Sequence, residues 1–419
     1  MITTVVAIVL VLAVLIFFHE LGHFLMAKKA GILVREFALG FGPKVAGMKK
    51  GETSYSLRLF PLGGYVRMAG EEPEIVDLKR GQRIGLRLDS KGRADRLFLS
   101  RQPSGEATLW GTVERFDLEE DLWIELRTEN GDEGQSRRYP VHPQAVLVRE
   151  KEEVQIAPVN RQFGSKSKRQ RFNTIFAGPA MNFILAFVFF ILAAWVNGVP
   201  LDEPQVGRVE PGSPAAQAGL QENDRIVSIN SVPVRSWDEM VQVVSSSPGQ
   251  PLALQVQREG LASPVQLNVT PREAEDGSGK LGVYQDTERS VLKAVPYGAQ
   301  QTWIFTKAIF QGFGMLASGQ ASTADLSGPV GIFKLTGDMA SQGIGALLMW
   351  TGFLSINLGI FNLLPIPALD GGRLVFLGIE AIRRRPVDPQ KEGMVHFIGF
   401  AFLLLLMVFV TYNDILRFF

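Results

Sequence analysis

Cysteine is missing altogether from these 419 residues. That removes disulfides, thiolate nucleophiles and Cys-ligated zinc, and says nothing firm about redox compartment. A surplus of either charge is also missing: 43 Lys and Arg face 42 Asp and Glu, which leaves +1. No basic patch with interleaved aromatics exists, so nucleic acid is not an expected partner. Histidine is scarce, with four in the chain. The stretch Ile2–Phe18 contains no charge at all. The hydrophobic share of 46% is ordinary for a soluble protein, but it is segregated into long apolar runs apart from charged stretches. The first run lacks a basic start and a small-residue cleavage site, and reads as a retained segment rather than a signal peptide.

That run ends in Phe18-His19-Glu20-Leu21-Gly22-His23, an H-E-x-x-H pattern. On a helix His19 and His23 stack on one face. Two imidazoles so placed can hold one Zn²⁺ at about 2.0–2.1 Å. Glu20 lies about 60° of helix rotation from His23, close enough to take a proton from a water at the metal instead of ligating it. The alternative is that His19 and Glu20 merely mark the end of a span and snorkel to the interface. Against it, two of only four histidines flank a Glu at this spacing, and an intramembrane ionisable cluster is a functional-site hypothesis by default.

Length and hydropathy predict four membrane spans, at about 2–27, 174–196, 344–364 and 394–412. A fifth apolar stretch, about 298–318, carries Gln300, Gln301, Lys307 and Gln311, and reads as an amphipathic interfacial helix. Lys28, Lys29 and Arg35 follow the first span, Lys166, Lys168, Arg169 and Arg171 precede the second, and Arg383, Arg384 and Arg385 follow the third. The excess of Lys and Arg marks that side as cytoplasmic and puts both termini outside. His19 is then about 26 Å of helix from Ile2, towards the cytoplasmic face of a core about 30 Å thick.

Between the spans the patterns change. Thr53–Leu59 alternates like a strand, Gly40-Phe41-Gly42-Pro43 precedes it, and Pro61-Leu62-Gly63-Gly64 reads as a turn before another short strand. This hairpin is either an ordinary cytoplasmic one or a sheet edge dipping towards the metal. Residues 77–160 are a polar insert in which Trp123–Thr128 alternates and Asn130-Gly131 signals a hairpin turn. It reads as a small β-rich cytoplasmic module, with His142 in a loop. In Gly178-Pro179-Ala180-Met181-Asn182 the small residues allow close helix approach. Asn182 either bonds across helices or positions substrate.

The third span runs into Asn362-Leu363-Leu364-Pro365-Ile366-Pro367-Ala368-Leu369-Asp370-Gly371-Gly372. Its prolines break the helix, and irregular backbone at membrane depth is tolerated only when buried in protein or lining a wet cavity. Asp370 arrives at the same depth as the two histidines. A catalytic zinc wants three protein ligands and an open position, and Asp370 is the natural third. A helix cap, or an ion pair with Arg373, is the structural alternative. His396 opens the fourth span and reads as structural.

Residues 203–273 contain Gly212-Ser213-Pro214-Ala215-Ala216-Gln217-Ala218-Gly219-Leu220 and Asn223-Asp224-Arg225-Ile226-Val227-Ser228-Ile229-Asn230. This pattern resembles the bacterial PDZ domain, with a later helix at about Trp237–Val244 and strands at about 252–258 and 264–270. Asn223 and Ser231 stand where that family usually has Gly. Such a domain adds a peptide strand to its sheet edge or acts by bulk alone.

Taken together, His19-Glu20-x-x-His23, Gly178-Pro179-x-x-Asn182, and Asn362-x-x-Pro365-x-Pro367 before Leu369-Asp370-Gly371 resemble the site-2 protease family of intramembrane zinc metalloproteases. The resemblance covers all four spans and the PDZ module. It implies zinc held by His19, His23 and Asp370, Glu20 as base, and substrate contacts near Asn357, Asn362, Pro365 and Pro367, with Asn182 a further candidate. It implies a membrane-associated β-region, matching 53–67. It also implies a single-span substrate first trimmed by a site-1-type protease: an anti-sigma factor, with remnant signal peptides as further substrates, in a stress response at the bacterial cell membrane.

The expected fold is a four-span α-helical membrane protein with a membrane-associated β-hairpin, a cytoplasmic β-rich insert and one extracytoplasmic PDZ domain. Its expected divisions are 1–36, the first span; 37–76, the hairpin region; 77–160, the insert; 161–200, the second span; 201–275, the PDZ domain; 276–343, a linker with the amphipathic helix; 344–385, the third span; and 386–419, the fourth. Two competing functions are a non-catalytic membrane scaffold and a membrane-anchored zincin cleaving soluble peptides.

Overall fold

The structure is a computed structural model that describes residues 2–71, 78–99, 107, 109–128, 136–149, 152–274, 276–320 and 328–418. The Asn130-Gly131 turn lies outside the described residues. The chain divides into two compact units, one of Met1–Ala186, Ala308–Ala340 and Phe353–Phe419, the other of Phe187–Lys307 and Ser341–Gly352. Among the described residues four helices are long and apolar enough to cross a membrane: Ile2–Lys29, Lys168–Asn197, Ile344–Leu363 and Gln390–Arg417.

The first unit opens with α1 (Ile2–Lys29). No Pro interrupts it, and Lys28 and Lys29 in its last turn favour the negative end of the helix dipole. Gly31, at φ +72°, then takes the left-handed conformation that lets the chain leave.

Strands β1 (Val34–Lys50) and β2 (Thr53–Met68) follow. Their register is double: Glu36 pairs with both Ser54 and Arg67, and Leu39 with both Leu57 and Gly64. Lys44 and Lys50 pair with Arg58 and Thr53. The sheet therefore has four rungs, in the order 44–50, 53–58, 36–39 and 64–68. Reversal at Gly63, with φ +118°, replaces the simple turn read from Pro61–Gly64 and sends the last rung to the opposite edge. Phe41, Val45, Met48, Leu57, Leu59 and Phe60 lie exposed on this sheet.

The insert forms β3 (Arg83–Leu88), β4 (Ala94–Phe98), β5 (Leu109–Asp117), β6 (Trp123–Thr128), β7 (Ser136–Arg149) and β8 (Glu152–Gln155). They run in the order β4-β3-β5-β6-β7-β8, and β4 also pairs parallel to β7. That last pairing closes a barrel around Ile84, Leu86, Leu97, Ile124, Leu126 and Val141. His142 lies inside β7, not in a loop: residues 136–149 stay extended because both flanks are paired. Its Nδ1 accepts the Gln144 N–H at 3.1 Å. Glu52, in the turn between β1 and β2, ties the sheet to the barrel. It accepts from Arg161 (2.8 Å to Nη2), Gln155 (3.1 Å) and Gln144 (3.2 Å).

Helix α2 (Lys168–Asn197) carries Pro179 within it. Late in the chain, α7 (Ile344–Leu363) stops before Pro365, and α8 (Asp370–Arg383) starts after Pro367. Glycine permits the fold-back, since a Cβ on Gly371 would lie 2.1 Å from the Leu364 carbonyl oxygen. Helix α9 (Pro389–Phe418) is only 6% buried over its most apolar window, as suits a lipid-facing helix. Its buried Asp414 accepts the N–H groups of Gly328 (3.1 Å) and Gly331 (2.8 Å), capping α6 (Pro329–Ser341). Val291–Ala317 is one helix, α5, longer than the expected 298–318, and it falls outside the four span-competent helices.

The second unit contains β9 (Val199–Pro200), β10 (Val206–Val209), α3 (Pro214–Gln217), β11 (Arg225–Ile229), β12 (Val232–Pro233), α4 (Trp237–Ser245), β13 (Leu252–Gln257) and β14 (Val265–Val269). Its four-stranded sheet runs β12-β11-β13-β14, over a core including Ile226, Ile229, Met240 and Leu254. Ser213 and Ser236 cap α3 and α4. Asn223 and Ser231 both adopt positive φ, at 67° and 66°. Asn tolerates that region well and Ser less so.

Candidate active site

Close approach of α1 and α2 builds the first half of the site. A Cβ on Gly22 would sit 2.2 Å from the Ala177 carbonyl oxygen, and one on Gly178 would sit 2.2 Å from His23 Nε2. Only glycine at both positions lets the helices touch backbone to ring. The same contact orients the histidines. His23 Nδ1 donates to the Thr174 carbonyl at 2.8 Å, which leaves Nε2 with its lone pair. The Asn182 side-chain amide lies 3.2 Å from His19 Nδ1, and the Ser355 hydroxyl donates to the Asn182 carbonyl at 2.8 Å.

The turn between α7 and α8 delivers the third donor. Ala368 is held at φ +77°, unusual for a residue with a side chain, and its N–H donates to His396 Nδ1 at 2.8 Å. Asp370 Oδ2 then lies 3.2 Å from His19 Nε2 and 3.3 Å from His23 Nε2, and the two Nε2 atoms are 3.2 Å apart. Three donors on a tetrahedral zinc with bonds of about 2.0–2.1 Å are about 3.3–3.4 Å from one another. The observed triangle fits. Asp370 Oδ2 is also buried without a hydrogen-bond partner, as expected of an atom reserved for a cation. His19, His23 and Asp370 are the one such donor cluster among the described residues.

Glu20 is buried beside this triangle, on the wall of a cavity of about 1020 Å³. The outer rung of the sheet, Gly64–Met68, lines the same cavity. A Cβ on Gly64 would come within 2.8 Å of Glu20 Cγ, so the rung passes directly over the glutamate.

The remaining sequence candidates separate. Asn362 lines the cavity, and its Nδ2 donates to the Leu358 carbonyl at 2.9 Å. Asn357 donates to the Phe353 carbonyl at 3.0 Å within its own helix. Pro365 and Pro367 lie in the break before Asp370. Asn182 is fully buried behind the His19 ring and makes the interhelical contacts that are one of its two expected roles. His396, read as structural, lines the cavity, as do Glu71, Arg171 and Arg373. Their local sequences carry no motif that singles them out.

Buried donors at zinc spacing, with a glutamate next to the first and helices apolar enough to cross a membrane, define a class: membrane zinc metalloproteases. The profile of peptidase family M50 matches residues 7–406, and the chain belongs to that family. It is 48% identical to the zinc metalloprotease RasP of Geobacillus kaustophilus, over 99% of this chain and 98% of that one. It is 46% identical to the regulator of sigma-W protease RasP of Bacillus subtilis, over 100% of this chain and 99% of that one. Among solved structures, the PDZ domain of the SdrC-like protein Lmo2051 from Listeria monocytogenes matches 21% of this chain and 90% of its own, at 20% identity and a TM-score of 0.19. The chain is a zinc metalloprotease with several apolar helices, and zinc is its cofactor.

Proposed function

We propose that this protein cleaves a peptide bond inside the membrane-spanning segment of single-span proteins already shortened by another protease. The substrate class is an anti-sigma factor, with remnant signal peptides as a second class. The observation that carries the reading is the triangle of His19, His23 and Asp370 at 3.2–3.3 Å, drawn from apolar helices and open to a cavity that a sheet edge also lines. His19, His23 and Asp370 would hold the zinc, which when bound would supply a Lewis acid to polarise the scissile carbonyl and acidify water.

The chain's own residues do the rest. Glu20 takes the proton of the attacking water and passes it to the leaving amine. Asn362, on the cavity wall, is the candidate donor to the developing oxyanion. A helical substrate has its carbonyls shielded, so it must unwind. Strand addition to Gly64–Met68 pairs the released backbone groups and lays the extended peptide over Glu20. The exposed apolar side chains of the sheet, from Phe41 to Phe60, support its lying in the membrane. Four spans then put the basic clusters in the cytoplasm of a bacterial cell membrane. The 203–273 domain, read as PDZ from its helix and strand order, lies outside and screens substrate ectodomains.

The test is purified protein with candidate single-span substrates, with and without a zinc chelator. Glu20→Gln should keep zinc and lose turnover, whereas a scaffold keeps its activity. Asp370→Ala should lose zinc. An anchored zincin with its third ligand elsewhere keeps it.

A further inference from the structure

Two charged side chains face each other across the cavity, and the reaction above uses neither. Glu71 comes three residues after the end of β2, and its Oε2 accepts the Met68 N–H at 3.3 Å. The carboxylate is thereby fastened to the end of the rung that lines the cavity. Its Oε1 lies 2.8 Å from Nη1 of Arg373. At this distance attraction between opposite charges holds the two side chains together. Arg373 belongs to the first turn of α8, three residues after Asp370, and its own N–H reaches the Leu369 carbonyl at 3.3 Å. The pair thus joins the strand edge to the helix that presents the third metal donor. Only 10% of the Glu71 side chain is exposed, so the contact is shielded from water more than a surface ion pair.

We propose that Glu71 and Arg373 are positioning residues that form a strap across the cavity. The strap sets the gap between the Gly64–Met68 edge and the start of α8. A peptide paired to that edge then carries its scissile carbonyl to a fixed distance from the metal. No backbone hydrogen bond joins β2 to α8 here among the described residues. Apart from Leu374, which packs on the cluster that holds Val66 and Met68, the pair is what fixes the gap on this side. The function of the strap rests on the protease reading, but its geometry does not. A misplacement of about 1 Å at a reacting carbonyl costs about 100-fold in rate, so a loosened strap should be read in kcat.

The experiment compares Glu71→Gln, Arg373→Gln and the charge-reversed double variant E71K/R373E, each in the full-length chain. Zinc content is measured by elemental analysis, and cleavage of a single-span substrate is resolved into kcat and KM. Because the natural chain has no cysteine, Arg67→Cys and Ile382→Cys give two unique spin-label sites, on the rung and on α8. The expected result is full zinc in every variant, kcat at least about tenfold lower in both single variants, and a longer, broader label distance in each. The double variant should recover most of both. Wild-type kcat and unchanged label distances in the single variants would overturn the proposal. So would loss of zinc from them, which would make the pair part of the metal site. If the unmutated protein binds zinc yet cuts no substrate, the protease reading fails instead, and the label distances alone decide the strap.

Discussion

Replacing Gly178 by Ala tests whether the helix crossing sets the metal geometry. The added methyl group would sit 2.2 Å from His23 Nε2 and 2.5 Å from Cε1, against an ordinary contact of 3.4–4 Å. The ring must therefore retreat by about 1.2 Å, while metal sites tolerate deviations of about 0.2 Å. Retreat from α2 would also stretch the bond from Nδ1 to the Thr174 carbonyl of that same helix, now 2.8 Å. Changes that disturb ligand orientation alone cost about 10–100-fold in metal affinity, and displacing the ligand atom should exceed that range. Helix propensity works the other way, since Ala is favoured over Gly by about 1 kcal/mol in a helix. Gly178→Ala should thus stay folded, because overpacking of about 1–3 kcal/mol is partly offset by helix propensity, yet lose zinc by at least about 100-fold in affinity. Chelator competition with metal analysis measures this, alongside a melting curve of the apoprotein. A variant that keeps natural zinc affinity and turnover refutes the reasoning.

Three further outcomes follow from other contacts. Gly64→Ala puts a methyl group 2.8 Å from Glu20 Cγ and from the Ala38 carbonyl oxygen, so it should keep zinc while kcat falls by about 10–100-fold; equal turnover would show that the rung does not constrain the glutamate. The Arg161 guanidinium holds the Glu52 carboxyl at about 2, below its unfolded value of about 4.3. Its contribution is complete above that unfolded value and disappears as pH falls towards 2. Tm should drop between pH 4.3 and 2 more steeply in the natural chain than in Glu52→Gln, and parallel curves would reject this role. Asp414→Asn removes the charge from the cap of α6 at a cost of about 1 kcal/mol, which should speed hydrogen exchange at Ile332 about fivefold; unchanged protection argues against the cap.

The cluster of His19, His23 and Asp370 is legible because each member rests on a local pattern. His19 and His23 need only helical spacing, and Asp370 needs only two prolines to end the preceding helix. The four-rung sheet is not legible in the same way. Glu36–Leu39 pair on both sides, and no alternation within a strand announces two partners. The same holds for β4 on β7, which closes the insert into a barrel and draws His142 into a strand. Asn182 shows the limit most sharply. A polar residue in an apolar span predicts a partner but not which one, and the partner is Nδ1 of His19. Arg373 is legible only as an alternative partner of Asp370, and its pairing with Glu71 arises through tertiary structure.

The bare flank of Gly64–Met68 carries a last consequence. Unpaired strand margins usually glue one molecule to another, and soluble proteins blunt them with charge or a covering element. Here the margin lines the cavity beside Glu20, and its last N–H, at Met68, is taken by Glu71. An intact helix is about 10 Å across, whereas adjacent strands lie about 4.8 Å apart. On the proposed reading that cavity works as a calliper: it admits chain that has already come undone and spares every membrane helix that holds its shape.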